Sequence, residues 1–162
     1  MDIVDRGSGE DRKRVWEERP DVIFEWDSKH GRGPDKIRLR NIGRTSAFNV
    51  TIGPFSWPEV TFTIPLEINV IHPNEPETVC EPHFDVKFPS GVTEIGYMHL
   101  VLRDRRFSNR QPLQVRVSFS DKLGNSFARQ FTLEAGAGSS YGPDVRITPG
   151  QLIPTRPIQA AS

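Results

Sequence analysis

Cys80 and His83 are the residues whose types and spacing come nearest to a metal site. A cysteine and a histidine in a C-x-x-H arrangement form half of many zinc sites, but a complete structural site needs about four ligands. The remaining histidines are scattered along the chain, at positions 30, 72 and 99. On a strand, positions 80 and 83 would also point to opposite faces of the sheet. We therefore expect a half-buried Cys80, an exposed His83, no metal site and no cofactor.

Nucleophilic catalysis would need a serine or cysteine beside a histidine that an acidic residue orients. Ser90 lies in the turn-forming sequence Pro89-Ser90-Gly91, and the motif G-x-S-x-G does not occur. Gly31 and Gly33 follow no buried strand that leads into a helix, so they do not indicate a phosphate-binding loop. These observations predict that the chain is not an enzyme.

Two segments carry the residue types that are enriched in binding hot spots, namely aromatic residues and arginine. One is the Pro-bounded loop at 54–58, and the other is the basic segment at 103–110. Each has a simpler interpretation: the aromatic loop as a plug at one end of the domain, and the arginines as a solvated helix end. The candidate contact surface consists of Phe55, Trp57, Arg103, Arg105, Arg106, Phe107 and Arg110.

The overall charge of the chain bears on which class of partner it can bind. The 162 residues contain 21 Lys and Arg and 21 Asp and Glu, so no bulk charge favours nucleic acid, and we expect another protein as the partner. No apolar run approaches the roughly 18 residues of a membrane span, although a longer form of the protein could be anchored. Because Cys80 is the single cysteine, no internal disulfide can form. This is compatible with both reducing and oxidising compartments, so it does not identify the cellular compartment.

Apolar residues alternate with polar ones along most of the chain, which predicts short strands. The longest run occupies even positions from Val60 to Val70. Because proline cannot donate a ladder hydrogen bond, Pro65 either divides this run into two strands or marks a bulge. Between residues 120 and 125, Asp121 and Gly124 predict a hairpin turn with Gly124 at positive φ. In contrast, the helical spacing of apolar residues near Ile95 predicts a short helix over 93–105, with a strand from Tyr97 to Leu102 as the alternative.

The expected domain boundaries follow from these patterns. Residues 1–19 are rich in charge and predict a flexible or short-helical lead-in. Residues 20–134 contain the strong alternation and predict an antiparallel β-sandwich of about seven to nine strands. Residues 135–162 are rich in Gly, Ser and Pro, which predicts a disordered tail.

Two longer segments resemble a known family. The first, LRNIGRTSAFNVTI at 39–52, has a strand that ends at Asn41-x-Gly43 and a second strand that starts at Ala47; we expect positive φ at Gly43 and backbone hydrogen bonds from Asn41. The second is the hairpin sequence PLQVRVSFSDKLGNSFARQFTL at 112–133. Both are similar to segments of bacterial immunoglobulin-like domains, most of them in uncharacterised proteins and often behind a membrane anchor.

The resemblance implies an immunoglobulin-like sandwich and little about activity, because such sandwiches have many unrelated functions. We therefore expect a non-catalytic binding or spacer module. The alternatives are a small metal-binding or hydrolytic protein built on a β-sandwich, and a carbohydrate-binding module that uses Trp57.

Overall fold

The computed structural model describes residues 2–27, 36–53, 55–57, 60–63, 67–80, 83–87, 90–91, 93–97, 112–135 and 145–160. The described residues form one helix and twelve strands. They are α1 (Asp2–Glu17), β1 (Val22–Asp27), β2 (Lys36–Asn41), β3 (Ala47–Ile52), β4 (Phe55–Trp57), β5 (Val60–Thr63), β6 (Glu67–Ile71), β7 (Pro76–Cys80), β8 (His83–Lys87), β9 (Thr93–Tyr97), β10 (Leu113–Ser120), β11 (Ser126–Ala135) and β12 (Val145–Pro154).

The strands form three sheets in which the paired strands are antiparallel. One sheet has five strands in the order β12-β11-β10-β3-β6, one has three in the order β1-β2-β7, and one has four in the order β4-β5-β8-β9. Side chains from the five-stranded and three-stranded sheets share one hydrophobic core, in which the rings of Phe24 and Phe131 lie 6.1 Å apart. The prediction of an all-β, sandwich-like fold is confirmed, and these two sheets together contain eight strands.

The alternation of apolar residues decides which face of each strand is buried. In β10, Leu113, Val115 and Val117 are fully buried, whereas Gln114 and Arg116 are exposed. Burial of one large aliphatic side chain is worth about 1.5–3 kcal/mol. The division at Pro65 is also confirmed, because β5 and β6 belong to different sheets.

The predicted helix over 93–105 is wrong where the structure describes it. Residues Thr93–Tyr97 form β9, which pairs with β8 from Lys87↔Thr93 to His83↔Tyr97. The β-branched side chains of Thr93 and Ile95 suit a strand, and Gly96 disfavours a helix. Residues 98–105 lie outside the described residues.

The expected disordered tail over 135–162 is also wrong for residues 145–160. Strand β12 pairs with β11 at the edge of the five-stranded sheet, and Leu152 is buried in the core. The chain then turns back along the β10–β11 hairpin, where Ile158 packs against the core. A register shift opposite Gln130 interrupts the alternation of β12, which explains why the sequence pattern does not reveal this strand.

The lead-in, expected to be flexible or a short helix, forms α1. Its last turn contacts the sandwich through Trp16, whose ring lies 6.1 Å from that of Phe127. The guanidinium carbon of Arg19 lies 4.2 Å from the centre of the Trp16 ring, and Arg19 Nη1 donates a hydrogen bond of 2.8 Å to the Trp16 carbonyl. The end of the helix is thus fixed to the domain.

The corner between β2 and β3 is held by Asn41, a fully buried polar residue. Its Oδ1 accepts hydrogen bonds from the backbone N–H groups of Asp21 (3.1 Å) and Gly43 (2.9 Å). Its Nδ2 donates to the carbonyl groups of Thr45 (2.8 Å) and Ile71 (3.0 Å). The expected backbone hydrogen bonds from Asn41 are confirmed, and they connect three separate segments of the chain.

The predicted positive φ at Gly43 is wrong. Glycine is nevertheless required at this position, for a different reason. A Cβ atom there would overlap the Arg19 carbonyl oxygen and would lie 2.5 Å from the Asp21 nitrogen. Among the described glycines, Gly91 and Gly124 have positive φ, both at 84°, so the prediction for Gly124 is confirmed. At position 43, close approach of two backbones selects glycine.

The β10–β11 hairpin turn holds the returning C-terminal segment. Asp121 Oδ1 accepts hydrogen bonds from the backbone N–H groups of Leu123 (2.9 Å) and Asn125 (2.8 Å), which fixes the turn. Asn125 Oδ1 accepts from the Gln159 backbone N–H at 2.7 Å, and Asn125 Nδ2 donates to the Gln159 carbonyl at 2.9 Å. The turn therefore serves as a docking point for residues beyond β12.

Candidate binding groove

A groove of about 350 Å³ lies on the face of β10, β11 and β12 that points away from the core. Cross-strand pairing arranges its side chains in rows: Gln114 is opposite Thr132, and Arg116 is opposite Gln130. The volume falls within the range of about 300–1,000 Å³ that is typical of ligand sites. The residues that line the groove are Gln114, Arg116, Ala128, Gln130, Thr132, Gly150, Gln151 and Ile153.

The groove is concave because its floor carries small residues where the strands come close together. The register of β11 and β12 shifts between the pairs Arg129↔Leu152 and Phe131↔Pro149, which places Gly150 beside Gln130. A Cβ atom at Gly150 would lie 2.7 Å from the Gln130 carbonyl oxygen. Glycine therefore allows the bulge and leaves its row without a side chain.

The bulge is fixed from below by an ion pair. Arg129 Nη1 donates a hydrogen bond of 2.8 Å to the Gly150 carbonyl, and Arg129 Nη2 lies 2.7 and 2.8 Å from the two carboxylate oxygens of Asp21. The Asp21 side chain is 13% exposed and that of Arg129 is 16% exposed, so solvent screens the pair only partly. Because Asn41 holds the Asp21 backbone, the groove floor is connected to the β2–β3 corner.

The lining of the groove is mainly polar and hydrogen-bonding. Gln114, Gln130 and Gln151 are exposed, and each amide carries both donor and acceptor groups. The Thr132 hydroxyl donates a hydrogen bond of 3.0 Å to Gln114 Oε1. Among the described residues, no carboxylate forms an ion pair with Arg116.

The apolar part of the lining lies at one end. Ile153 is 45% exposed, and Ala128, its partner in the ladder, is nearly fully buried. An exposed isoleucine next to a small buried residue provides an apolar contact surface beside the amides. The groove thus combines one cation, several neutral hydrogen-bonding groups and one aliphatic wall.

The aromatic segment singled out in the sequence lies beside strand β10. Strand β4 lies against β10, and the Gly53 N–H donates a hydrogen bond of 2.8 Å to the Arg116 carbonyl just before β4 begins. Phe55 pairs in the ladder with Phe62, and Trp57 pairs with Val60. The structure brings the backbone of Phe55–Trp57 next to the strand that carries Gln114 and Arg116, whereas the side chains of Phe55 and Trp57 lie outside the description.

The second predicted contact segment, with Arg103, Arg105, Arg106, Phe107 and Arg110, lies outside the described residues. Cys80 and His83 fall at the end of β7 and the start of β8, in different sheets, and their side chains are likewise outside the description. Ser90 lies in a turn, as its sequence indicates. No group of three or more metal-ligating side chains occurs within the described part of the chain.

One contact between a serine and a histidine was not predicted from the sequence. Ser46 Oγ lies 2.8 Å from His72 Nδ1, on the exposed surface where β3 and β6 adjoin. The two residues are far apart in sequence, and the antiparallel pairing Ala47↔Ile71 is what brings them together. The alternation in β3 and β6 predicts each strand, but the contact between Ser46 and His72 could be predicted only if the register of the two strands were known.

In the described residues, no helix has the length and the apolar character that a bilayer crossing requires. Comparison of the chain with protein-family models, with curated proteins and with solved structures found no match.

Proposed function

We propose that this chain is a non-catalytic, immunoglobulin-like binding module whose partner is another protein. The observation that carries the proposal is the groove on the outer face of the five-stranded sheet. Its floor is fixed by the bulge and by the ion pair of Asp21 and Arg129, so the lining residues are presented by a rigid framework. The backbone of the neighbouring strand β4, which contains Phe55 and Trp57, lies against β10.

A comparative pull-down tests the proposal. The wild-type protein, Arg116→Glu, Trp57→Ala and the double variant Arg105→Ala/Arg106→Ala are immobilised, and captured proteins are quantified by mass spectrometry. Lys122→Glu is the matched control, because it makes the same change of charge at an exposed position of the hairpin turn.

The proposal expects at least one protein that wild type and Lys122→Glu capture equally and that Arg116→Glu or Trp57→Ala loses. Each variant is first checked for an unchanged melting temperature. If all variants capture the same proteins as wild type, the proposed binding-module function is wrong.

A hydrolytic function is the second candidate, and the contact of Ser46 with His72 favours it. A histidine within hydrogen-bonding distance of a serine hydroxyl is the first requirement for an activated nucleophile. A fluorophosphonate probe labels such serines. Labelling of wild type and of Ser118→Ala, but not of Ser46→Ala, would support this function, and equal lack of labelling in all three would exclude it.

A further inference from the structure

We propose that the groove binds an extended, acidic segment of the partner protein. This proposal rests on the binding-module function given above. The segment presents a carboxylate to Arg116, its backbone amides to the glutamine side chains, and an aliphatic side chain to Ile153. Four properties of the lining lead to this ligand: its charge, its hydrogen-bonding groups, its aliphatic wall and the distance between Arg116 and Ile153.

The charge of the groove is positive and localised. Of the residues that line it, Arg116 carries a charge, and within the described residues no carboxylate pairs with that guanidinium. An arginine can form two parallel hydrogen bonds to a carboxylate, which makes it a specific receptor for an acidic side chain. Charge complementarity therefore favours Asp or Glu in the ligand.

The neutral groups match a peptide backbone. The amides of Gln130 and Gln151 each offer a donor and an acceptor, and a peptide unit offers the complementary N–H and C=O. The Gln114 carbonyl oxygen already accepts the Thr132 hydroxyl, which orients its NH₂ group toward other partners. An extended segment, whose backbone groups are unpaired, can satisfy these side chains.

The aliphatic side chain of Ile153 favours a peptide over a saccharide as the ligand. A saccharide presents C–H faces that aromatic rings cover well, whereas the apolar groups described in this groove are the aliphatic Ile153 and the small Ala128. An aliphatic side chain of a peptide packs on such a wall and gains about 25 cal/mol for each Å² of apolar surface that it removes from water. A peptide segment therefore fits the lining better than a saccharide does.

The ladder positions fix the spacing in the ligand. Arg116 and Ile153 lie two strands apart and one side-chain row apart, because Arg116 pairs with Gln130 and Ile153 pairs with Ala128. Strands are spaced by about 4.8 Å and rows by about 6.8 Å, so the two positions are about 12 Å apart. An extended peptide covers about 13 Å in four residues, and residues i and i+4 point to the same side. The ligand pattern is thus Glu-x-x-x-Leu or its reverse.

Titration of the full chain with synthetic peptides tests the proposal. Nine-residue capped peptides carry Glu-x-x-x-Leu in either direction, with Ser and Thr elsewhere, and nitrogen-15 spectra follow the glutamine side-chain amides. We expect saturable shifts of the Gln114, Gln130 and Gln151 amide signals. Replacing the peptide glutamate with glutamine should weaken binding about tenfold, because a charge-assisted hydrogen bond becomes a neutral one.

A charge reversal makes the test specific. Arg116→Glu should lose the acidic peptide and bind a Lys-x-x-x-Leu peptide instead, whereas Lys122→Glu should behave as wild type. The Arg116 backbone carbonyl, which bonds the Gly53 N–H, is unchanged by this substitution, so the fold is expected to persist. An unchanged dispersion of the amide spectrum verifies this for each variant.

Three results would overturn the proposal. They are the absence of saturable shifts with either peptide, equal affinity for the glutamate and glutamine peptides, and stronger saturation of the same signals by a trimer of galacturonic acid. If the peptides fail while the pull-down still separates Arg116→Glu from wild type, the binding-module function stands and the ligand class is wrong. If the peptides bind but the pull-down finds no difference, the groove accepts the proposed ligand class and the proposed function as a module that captures a whole protein is wrong.

Discussion

Replacing Asn41 with alanine should destabilise the domain more than any conservative change at its surface. The substitution removes four hydrogen bonds from a side chain with no exposed surface. Asn41 connects the segment before β1, the corner before β3 and the end of β6. All three segments lose their common partner at once.

The magnitude follows from the burial of the four partners. The hydrogen bond to the Ile71 carbonyl is buried, and an unsatisfied buried acceptor costs about 1–3 kcal/mol. The other three partners are partly buried and can regain some water, so each loses about 0.5–1.5 kcal/mol. We expect a total loss of about 2.5–7.5 kcal/mol in the free energy of unfolding, out of the roughly 5–15 kcal/mol that is usual for a domain.

Urea unfolding followed by far-ultraviolet circular dichroism measures this loss. Asn69→Ala is the matched control, because Asn69 is exposed on β6 and its removal should change stability by about 0.5 kcal/mol or less. Asn41→Asp keeps the two acceptor contacts but directs a carboxylate oxygen at two carbonyl groups, so it should be as harmful as alanine. A loss below about 1 kcal/mol for Asn41→Ala, or one equal to that of Asn69→Ala, would refute the reasoning.

Three further outcomes are expected. Gly43→Ala should cost about 2 kcal/mol or more by overlap with backbone atoms, whereas Gly53→Ala, whose Cβ would lie 3.5 Å from the nearest atom, should cost far less; thermal unfolding compares the two. Deleting residues 145–162 should abolish cooperative unfolding, since β11 loses one of its two neighbouring strands and the core loses Leu152; retention of a sharp transition would show that β12 is dispensable. A double-mutant cycle of Asp21→Asn and Arg129→Met should give a coupling energy of about 1–3 kcal/mol, and additive effects would mean that the pair contributes no net stability.

The strands with regular alternation could be predicted from the sequence. Leu113, Val115 and Val117 share one parity along β10, and burial selects that parity directly. The turn of Asp121 and Gly124 could also be predicted, because its chemistry is local. Prediction succeeds where neighbours along the chain determine the conformation.

The rest of the fold depends on contacts that no local pattern contains. In β12, Ile147 and Leu152 both face the core although they differ in parity, because the bulge at Gly150 inserts an extra residue between them. The Gly43 requirement arises from the backbone of residues 19–21, and the ion pair of Asp21 and Arg129 joins residues 108 positions apart. The groove combines three strands in a register that only the folded sheet defines, so its residues could not be selected in advance.

The position of β12 has a consequence for how the protein is made. The strand at the edge of the five-stranded sheet is the last one described in the chain, and β1, the first strand, packs against it. A nascent chain that has not yet reached residue 154 therefore exposes β11 as an unpaired edge and leaves the core open. Such an edge is a template for association with other chains, and a topology rich in distant contacts folds slowly. Folding of this domain must therefore follow, rather than accompany, the emergence of its strands from the ribosome, and chaperones that shield unpaired strands should raise its yield.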